Sequence, residues 1–394
     1  MNFVIVAHSF PPGNGPECFC SGRFASALAD AGHTVHVVTL ERKKWGISQE
    51  VYDVLVDKRV KVTTFPNNGK PKPIWARLRY LTHEVGAANF QGAISTLKSV
   101  LKQYEKPILV SRANPIASHI IAWHCRKFAY RWIAHFSDPI PFWGSSRWTF
   151  RVKSWLEERW SRKAIRAADG ISLTNQKVAR FYHETYGDDF DSKPMTVTPH
   201  VGEPALTSRT PFERETKSAV VVHCGTMTGA RGANQMMEAV KTLNEDGVPV
   251  EFWEVGDLDP SLERVFSSTP HVRALPNLAP DYGIAVANVA DVVFVPDVAT
   301  QLPYAPFLPS KFVYQLFYDK PIIALTRSDS AMAEYAKTYP EAGIFVAASL
   351  NSASLVSALK IALRSSRQFD RKSIRGLFTR RCVGENFASF CECL

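Results

Sequence analysis

At 394 residues, 45% of them hydrophobic and 21% charged, the chain is too long for one ordinary core and too apolar for a disordered one, which points to two domains. A formal net charge of +10 calls for an anionic partner, and on charge alone nucleic acid, a membrane surface and a phosphorylated ligand all stay open. The seven cysteines are odd in number, and the close pairs Cys18/Cys20 and Cys391/Cys393 lack zinc-site spacing, so reduced thiols in a cytoplasmic protein, with no metal, are expected.

The opening MNFVIVAHSF has neither a basic start nor a cleavage site and reads as a first strand. No apolar run reaches the roughly 18 residues that span a bilayer, so a membrane would be met from its side. Phe3 to Ala7 is a strand, the breaker-rich segment Pro11 to Pro16 a turn, Ser21 to Ala31 a helix and Thr34 to Leu40 a second strand, which makes a βαβ opening. The glycines Gly13 and Gly15 are followed by Cys18, so the dinucleotide fingerprint is absent and a nicotinamide enzyme is disfavoured. Val60 to Phe65, Ile108 to Val110 and Arg131 to Phe136 continue the strands, and Pro115 to Cys125 reads as a helix. Two helices interleave aromatic and basic residues: Ile74 to Tyr80, and Trp148 to Ala168 with Trp148, Trp155 and Trp160. That pattern suits an anionic membrane surface, and equally a helix with core tryptophans and solvated cations.

A strand after Gly170 and another at Val197 to His200 close the first series, and a polar linker follows. The second series starts at Ala219 to Gly225. It continues with a helix near Asn234 to Asn244, strands at Val250 to Val255 and Val272 to Leu275, a helix at Tyr282 to Ala290 and a strand at Asp291 to Pro296. The expected fold class is therefore α/β, with two doubly wound, Rossmann-like domains facing each other across a cleft. Their expected extents are 1–203 and 218–366, joined by 204–217 and followed by a helical segment 367–394.

The chain is organised around Phe307 to Thr326, which reads as a loop, a short helix, a turn and a buried strand. Ser310 is expected as N-cap and Lys311 in the first turn, with Phe312, Leu316 and Phe317 facing inward. A helix start beside a parallel strand attracts anions, and Lys311 adds point charge for a diphosphate; an ordinary solvated lysine would read the same way. Gly225-Thr226-Met227-Thr228-Gly229-Ala230-Arg231-Gly232 also lies between strand and helix. Arg231 and Lys311 are thus expected to converge on one diphosphate, with Gly225, Thr226, Gly229 and Ser310 around it.

HSFPPGNGP, ALADAGHTVHVVT, AADGISLTN, TPHVGEP, HCGTMTGARG and PSKFVYQLFYDKPIIA, in this order, resemble the retaining GT-B glycosyltransferases of family four, from about Phe3 to Leu363. The resemblance implies GT-B architecture. It places a nucleotide-sugar donor, bound as substrate with no cofactor or metal, on the C-terminal domain and an acceptor on the N-terminal one. Arg231 and Lys311 would hold the diphosphate, and Pro309, Tyr314 and Gln315 would lie near the donor sugar and nucleoside. The chain departs from the family pattern where two glutamates are common, carrying Pro306 and Tyr314 instead, which puts the donor-sugar contacts in doubt.

In the first domain Asp138 ends a strand at the functional edge of the sheet, and with His135 it is a candidate base for an acceptor hydroxyl; Asp138 would equally cap the turn before Pro139. His8, Gly13, Gly15 and Glu17 are expected near the cleft, with a loop histidine as the plainer alternative for His8.

The reading is a glycosyltransferase using a nucleotide sugar and a saccharide or lipid-linked acceptor in surface-glycan biosynthesis, at the cytoplasmic face of a membrane. A sugar-nucleotide epimerase of the same architecture and a binding module that has lost activity are the alternatives. No motif supports nucleic-acid binding.

Overall fold

The computed structural model describes residues 1–41, 47–66, 90–141, 148–206, 212–275, 280–297, 302–348, 351–365 and 368–394. The chain forms two compact units. One comprises Met1–Trp45, Tyr52–Val201 and Phe378–Leu394, the other Gly46–Val51 and Gly202–Leu377.

The first unit is built on a seven-stranded sheet of β1 (Asn2–Ala7), β2 (Thr34–Leu40), β3 (Lys61–Phe65), β4 (Ile108–Ala113), β5 (Arg131–Phe136), β6 (Gly170–Leu173) and β7 (Met195–Val197). All pairs are parallel and the order is β3-β2-β1-β4-β5-β6-β7. Parallel strands covered on both faces need continuous apolar runs, and FVIVA on β1 is buried throughout. The order reverses between β1 and β4, which opens a crevice above their C-terminal ends. The first helix is Pro16–Asp30, not a helix from Ser21. Pro16 takes the N1 position, where its missing N–H costs no bond. The expected strand Val197 to His200 is instead Met195–Val197, because Pro199 has no N–H to donate to a ladder. The expected basic helix Ile74 to Tyr80 lies outside the described residues.

The C-terminal helix Arg380–Cys393 belongs to this unit and lies on the Pro16–Asp30 helix. The approach is close at Gly384, where a Cβ would stand 2.2 Å from the Ala27 carbonyl oxygen. Phe387 meets Phe24 edge to face at 5.0 Å, and Arg380 pairs with Asp30 at 3.5 Å. On the Trp148–Ala167 helix the tryptophans divide. Trp155 is 52% exposed, whereas Trp160 packs edge to face on Trp123 at 6.0 Å.

The second unit holds β8 (Ala219–Cys224), β9 (Val250–Val255), β10 (Val272–Leu275), β11 (Val292–Pro296), β12 (Ile322–Thr326) and β13 (Ile344–Ala348). The order is β10-β9-β8-β11-β12-β13, again parallel, with its reversal between β8 and β11. Val221, Phe252, Phe294 and Ile323 share one core with the helices Ala233–Glu245 and Ser352–Arg364. β13 was not expected from the sequence. It is an edge strand, and its apolar run IFVAA is only partly buried.

Candidate functional site

In the second unit the chain leaves β8 through Gly225, and the turn is defined by how close the backbones lie. Gly225 (φ +152°) and Gly256 (φ +141°) occupy conformations that side chains disfavour. A Cβ on Gly256 would stand 2.0 Å from the Gly225 carbonyl oxygen. The Gly225 N–H donates to the Val255 carbonyl at 2.8 Å. The turn then passes through exposed Thr226 and a 3-10 turn, Gly229–Arg231, before Gly232 starts the helix Ala233–Glu245. Gly229 has nothing within 4 Å of its Cβ position, so protein packing does not require glycine there.

Beyond β11, the short helix Ser310–Gln315 carries Lys311. Ser310 is not its N-cap: Pro309 holds that position in an extended conformation with no side-chain cap, and Ser310 is the first helical residue. Phe312, Val313 and Leu316 are fully buried and fix which way the helix turns, while Phe317 is half-buried. Six residues make a weak dipole, so attraction for an anion rests on Lys311 itself. Its Nζ lies 1.5 Å from where a Cβ would stand on Gly225, a place that only glycine leaves open. It has no hydrogen bond or ion pair among the described residues. Burial, reinforced by the nearby Arg231 charge, lowers its pKa to about 8.

Under the turn, His223 and Glu254 are cross-strand partners on β8 and β9. The His223 Nδ1 stands 2.7 Å from Glu254 Oε2 and 3.0 Å from Oε1, and both side chains are sealed from solvent. Burial drives the carboxyl well above its usual range against the pull of Lys311 and Arg231, and drives the imidazole well below its own. Burial also pushes the Cys224 thiol up to about 12.

The far end of the Lys311 helix is anchored by Arg371, which is 1% exposed. It donates to the carbonyls of Ala342 (2.6 Å), Gln315 (3.2 Å), Lys320 (2.6 Å) and Tyr318. Arg375 adds Leu316 at 2.6 Å. These bonds satisfy the carbonyls that a helix end leaves open. Pro309, Tyr314 and Gln315 are half-buried on this segment, and Pro306, where the family pattern has its other glutamate, is buried.

In the first unit the crevice between β1 and β4 holds a second cluster. Glu17, in the first turn of the Pro16–Asp30 helix, faces Arg112 of β4 and Ser137 beyond β5. Its Oε1 accepts from Ser137 Oγ at 3.0 Å, Arg112 Nη2 at 3.3 Å and Ser21 Oγ at 3.4 Å; Oε2 engages nothing among the described residues. Burial raises its pKa to about 8, outweighing the Arg112 charge. Asp138 is half-buried beside this cluster, close enough for its charge to act on Glu17.

His135 does not join it. Its Nδ1 bonds Ser172 at 2.9 Å and its ring stacks on Phe24 at 5.9 Å. Burial drives its pKa well below 6.5; at 1% exposed it is part of the core, with its Nε2 unpartnered among the described residues. His8 is 5% exposed, not a solvent-facing loop residue, and its backbone N–H donates to Ser118 Oγ at 3.0 Å. Gly13 closes the turn by donating to Phe10, and Gly15 is the N-cap residue of the helix. Among the described residues no group of His, Cys, Asp and Glu is placed to hold a metal ion.

No family model and no curated protein matches the sequence. Solved structures match its fold. HepE of Anabaena, solved with UDP and glucose, is 13% identical with a TM-score of 0.66, and the match covers 100% of both chains. The catalytic domain of starch synthase IV from Arabidopsis thaliana, bound to ADP and acarbose, is 13% identical at 0.63, covering 100% of this chain and 97% of that one. WaaG, a glycosyltransferase involved in lipopolysaccharide biosynthesis, is 13% identical at 0.58, covering 100% and 95%. The chain has the GT-B fold over its whole length.

The Glu17 carboxyl has a testable signature. Its folded-state pKa of about 8 lies above the ordinary 4.5, so the native state holds the proton more tightly than the unfolded one. The stability it contributes is complete below pH 4.5 and is lost as pH rises towards 8. Glu17→Gln keeps an acceptor and cannot ionise. Its melting temperature relative to the parent protein is expected to climb between those two values; parallel pH profiles would contradict the assignment.

Proposed function

We propose that the chain is a glycosyltransferase that moves a sugar from a nucleoside-diphosphate sugar to a hydroxyl acceptor. The observation that carries this is the ammonium of Lys311, half-buried against a glycine turn at the reversal point of the second sheet and without a counter-ion among the described residues. A cation withdrawn from water is costly unless paired, and here Arg231 adds a second positive charge close enough to act on it. That is a site for a diphosphate. Structures of the same fold were solved with UDP and with ADP.

In this reading the acceptor hydroxyl attacks the anomeric carbon as the carbon–oxygen bond to the diphosphate breaks; the bonding pair leaves with the diphosphate, whose oxygen takes the hydroxyl proton. Arg231 and Lys311 offset the charge that develops there, an interaction stronger in the transition state than in the ground state. The first unit is assigned the acceptor, with the free Oε2 of Glu17 and the Asp138 carboxylate offered to its hydroxyls. Retention of configuration is part of the proposal, supported by a trehalose-6-phosphate synthase of the same fold studied as a retaining enzyme. With Tyr314 and Pro306 in place of carboxylates, donor-sugar selection falls to neutral groups, Gln315 among them.

A saccharide or lipid-linked acceptor, met at the cytoplasmic face of a membrane, extends the proposal. Among the described residues no helix is long and apolar enough to cross a bilayer. The Trp148–Ala167 helix instead presents Trp155 outward, with Arg159 5.6 Å over its ring and Arg151 exposed nearby. Arg162 and Arg166 are engaged by Asp189 at 2.7 Å each, so Trp155 and Arg159 carry the contact. Co-sedimentation with phosphatidylglycerol vesicles at low salt is expected for the parent protein and reduced for Trp155→Ala and Arg159→Glu. No sedimentation of the parent protein would remove the membrane from the account.

The donor site is tested by thermal shift against UDP, ADP, GDP and their sugar derivatives. At a hundredfold excess over Kd, binding stabilises the native state by about 2.7 kcal/mol. One base is expected to raise Tm, with the rise lost in Lys311→Ala and reduced in Arg231→Ala. A panel that leaves Tm unmoved would contradict the transferase reading and favour a binding module without a donor.

A further inference from the structure

Lys311 is not alone at the open position over Gly225. The Cε1 of His223 lies 3.4 Å from the point where a Cβ would stand, and Lys311 Nζ lies 1.5 Å from the same point. The ammonium thus fills the place that glycine leaves, with the imidazole edge beside it. His223 is 1% exposed and its Nδ1 is taken by Glu254. Its Nε2 is buried and has no hydrogen-bond partner among the described residues. Buried polar atoms are nearly always satisfied, and an orphan beside a ligand site points to an atom the ligand brings.

The tautomer follows from the surroundings. The charged and titratable groups that face the pair are Lys311 from the short helix, Arg231 from the 3-10 turn and Cys224 on the same strand. On the remaining side the ring meets Phe294 edge to face at 6.3 Å. Burial favours the carboxyl of Glu254 protonated and the imidazole neutral, and on that ground the O–H of the contact is assigned to the carboxyl, with Nδ1 accepting. A neutral imidazole carries one ring hydrogen, and with Nδ1 accepting, that hydrogen is on Nε2. The orphan atom is a donor, next to a cation, with no acceptor.

We propose that His223 is a further diphosphate-binding residue, its Nε2–H donated to a phosphate oxygen beside Lys311, with Glu254 as the positioning residue that fixes the tautomer from Nδ1. This rests on the donor site described above. It differs from that reading in assigning part of the recognition to a neutral donor from beneath the turn, on β8 and β9. The cation Lys311 supplies attraction without direction, whereas a ring held at Nδ1 supplies a fixed hydrogen bond. The pair therefore selects the position of the phosphate as well as its charge.

The test is isothermal titration of the full chain with whichever of UDP, ADP or GDP the parent protein binds, and with the corresponding nucleoside. His223→Phe keeps the ring volume and its contact with Phe294. It is expected to weaken the diphosphate about tenfold or more, the scale of a hydrogen bond to a charged group, with nucleoside affinity maintained, while ligand-free Tm falls because the buried Glu254 carboxyl loses its partner. His223→Gln, which places an amide N–H near the Nε2 position, is expected to recover part of the loss. Glu254→Gln can still donate to Nδ1 and is expected to stay within about twofold, whereas Glu254→Leu frees the ring and follows His223→Phe. Diphosphate affinity unchanged in His223→Phe, or nucleoside and diphosphate weakened alike, would overturn the proposal and leave the pair as packing. A parent protein that binds no nucleoside diphosphate would overturn the donor site first, a failure seen before any variant is made.

Discussion

The second unit depends on one constraint: a lysine ammonium held against a turn that has no room for a side chain. Gly225 must be glycine for Lys311 Nζ to lie where it does, and Gly256 must be glycine for the β8 and β9 turns to meet backbone to backbone. Leu316 and Phe312 fix the face of the short helix, and Arg371 secures the carbonyl of its last residue, Gln315, and that of Lys320 beyond it. Each of these elements keeps the cation in place, and none neutralises it. The Glu254 carboxyl is committed to His223, and burial pushes its pKa well above the usual carboxylate range. A site that keeps its positive charge in a dry setting is prepared for an anion, and preorganised charge of this kind is what stabilises a departing diphosphate.

The two sheets use the same topology for different ends. Both reverse strand order beside their first strand, at β1/β4 and at β8/β11, and such reversals are where doubly wound sheets place ligands. In the second unit the crevice is cationic and lined by backbone. In the first it holds a carboxyl, Glu17, pinned through one oxygen by Arg112, Ser21 and Ser137. Under the proposed function, the cationic crevice of the second unit would meet an anion and the carboxyl of the first unit a hydroxyl, which call for opposite chemistries.

Much of this was legible from the sequence because parallel strands write themselves as short apolar runs. β2, β5, β9 and β10 lie where the pattern puts them, and Lys311 and the Gly225 turn stood out as glycine and cation beside such runs. What escaped depends on register. His223 and Glu254 are 31 positions apart and meet only because β8 pairs with β9 in one alignment. Glu17 and Arg112 are 95 apart and meet through the β1–β4 pairing and the tilt of one helix. His135 was singled out for its place at a strand end. The pleat, which sequence position alone does not orient, turns it into the core against Phe24. Ser310 looked like a cap because serine prefers that position, but Pro309 had already set the extended residue before the helix.

The most direct test of the central claim is proton uptake when the nucleotide sugar binds, measured calorimetrically in buffers of different ionisation enthalpy. The donor's diphosphate does not titrate between pH 6.5 and 9, whereas Lys311, with a pKa of about 8 in the empty site, is largely neutral at the upper end. An anion at the ammonium would restore its charge. The account predicts uptake approaching about one proton per site at pH 9 and little at pH 6.5. Binding with no proton uptake at pH 9 would mean that the ligand does not meet this lysine, and would contradict the account.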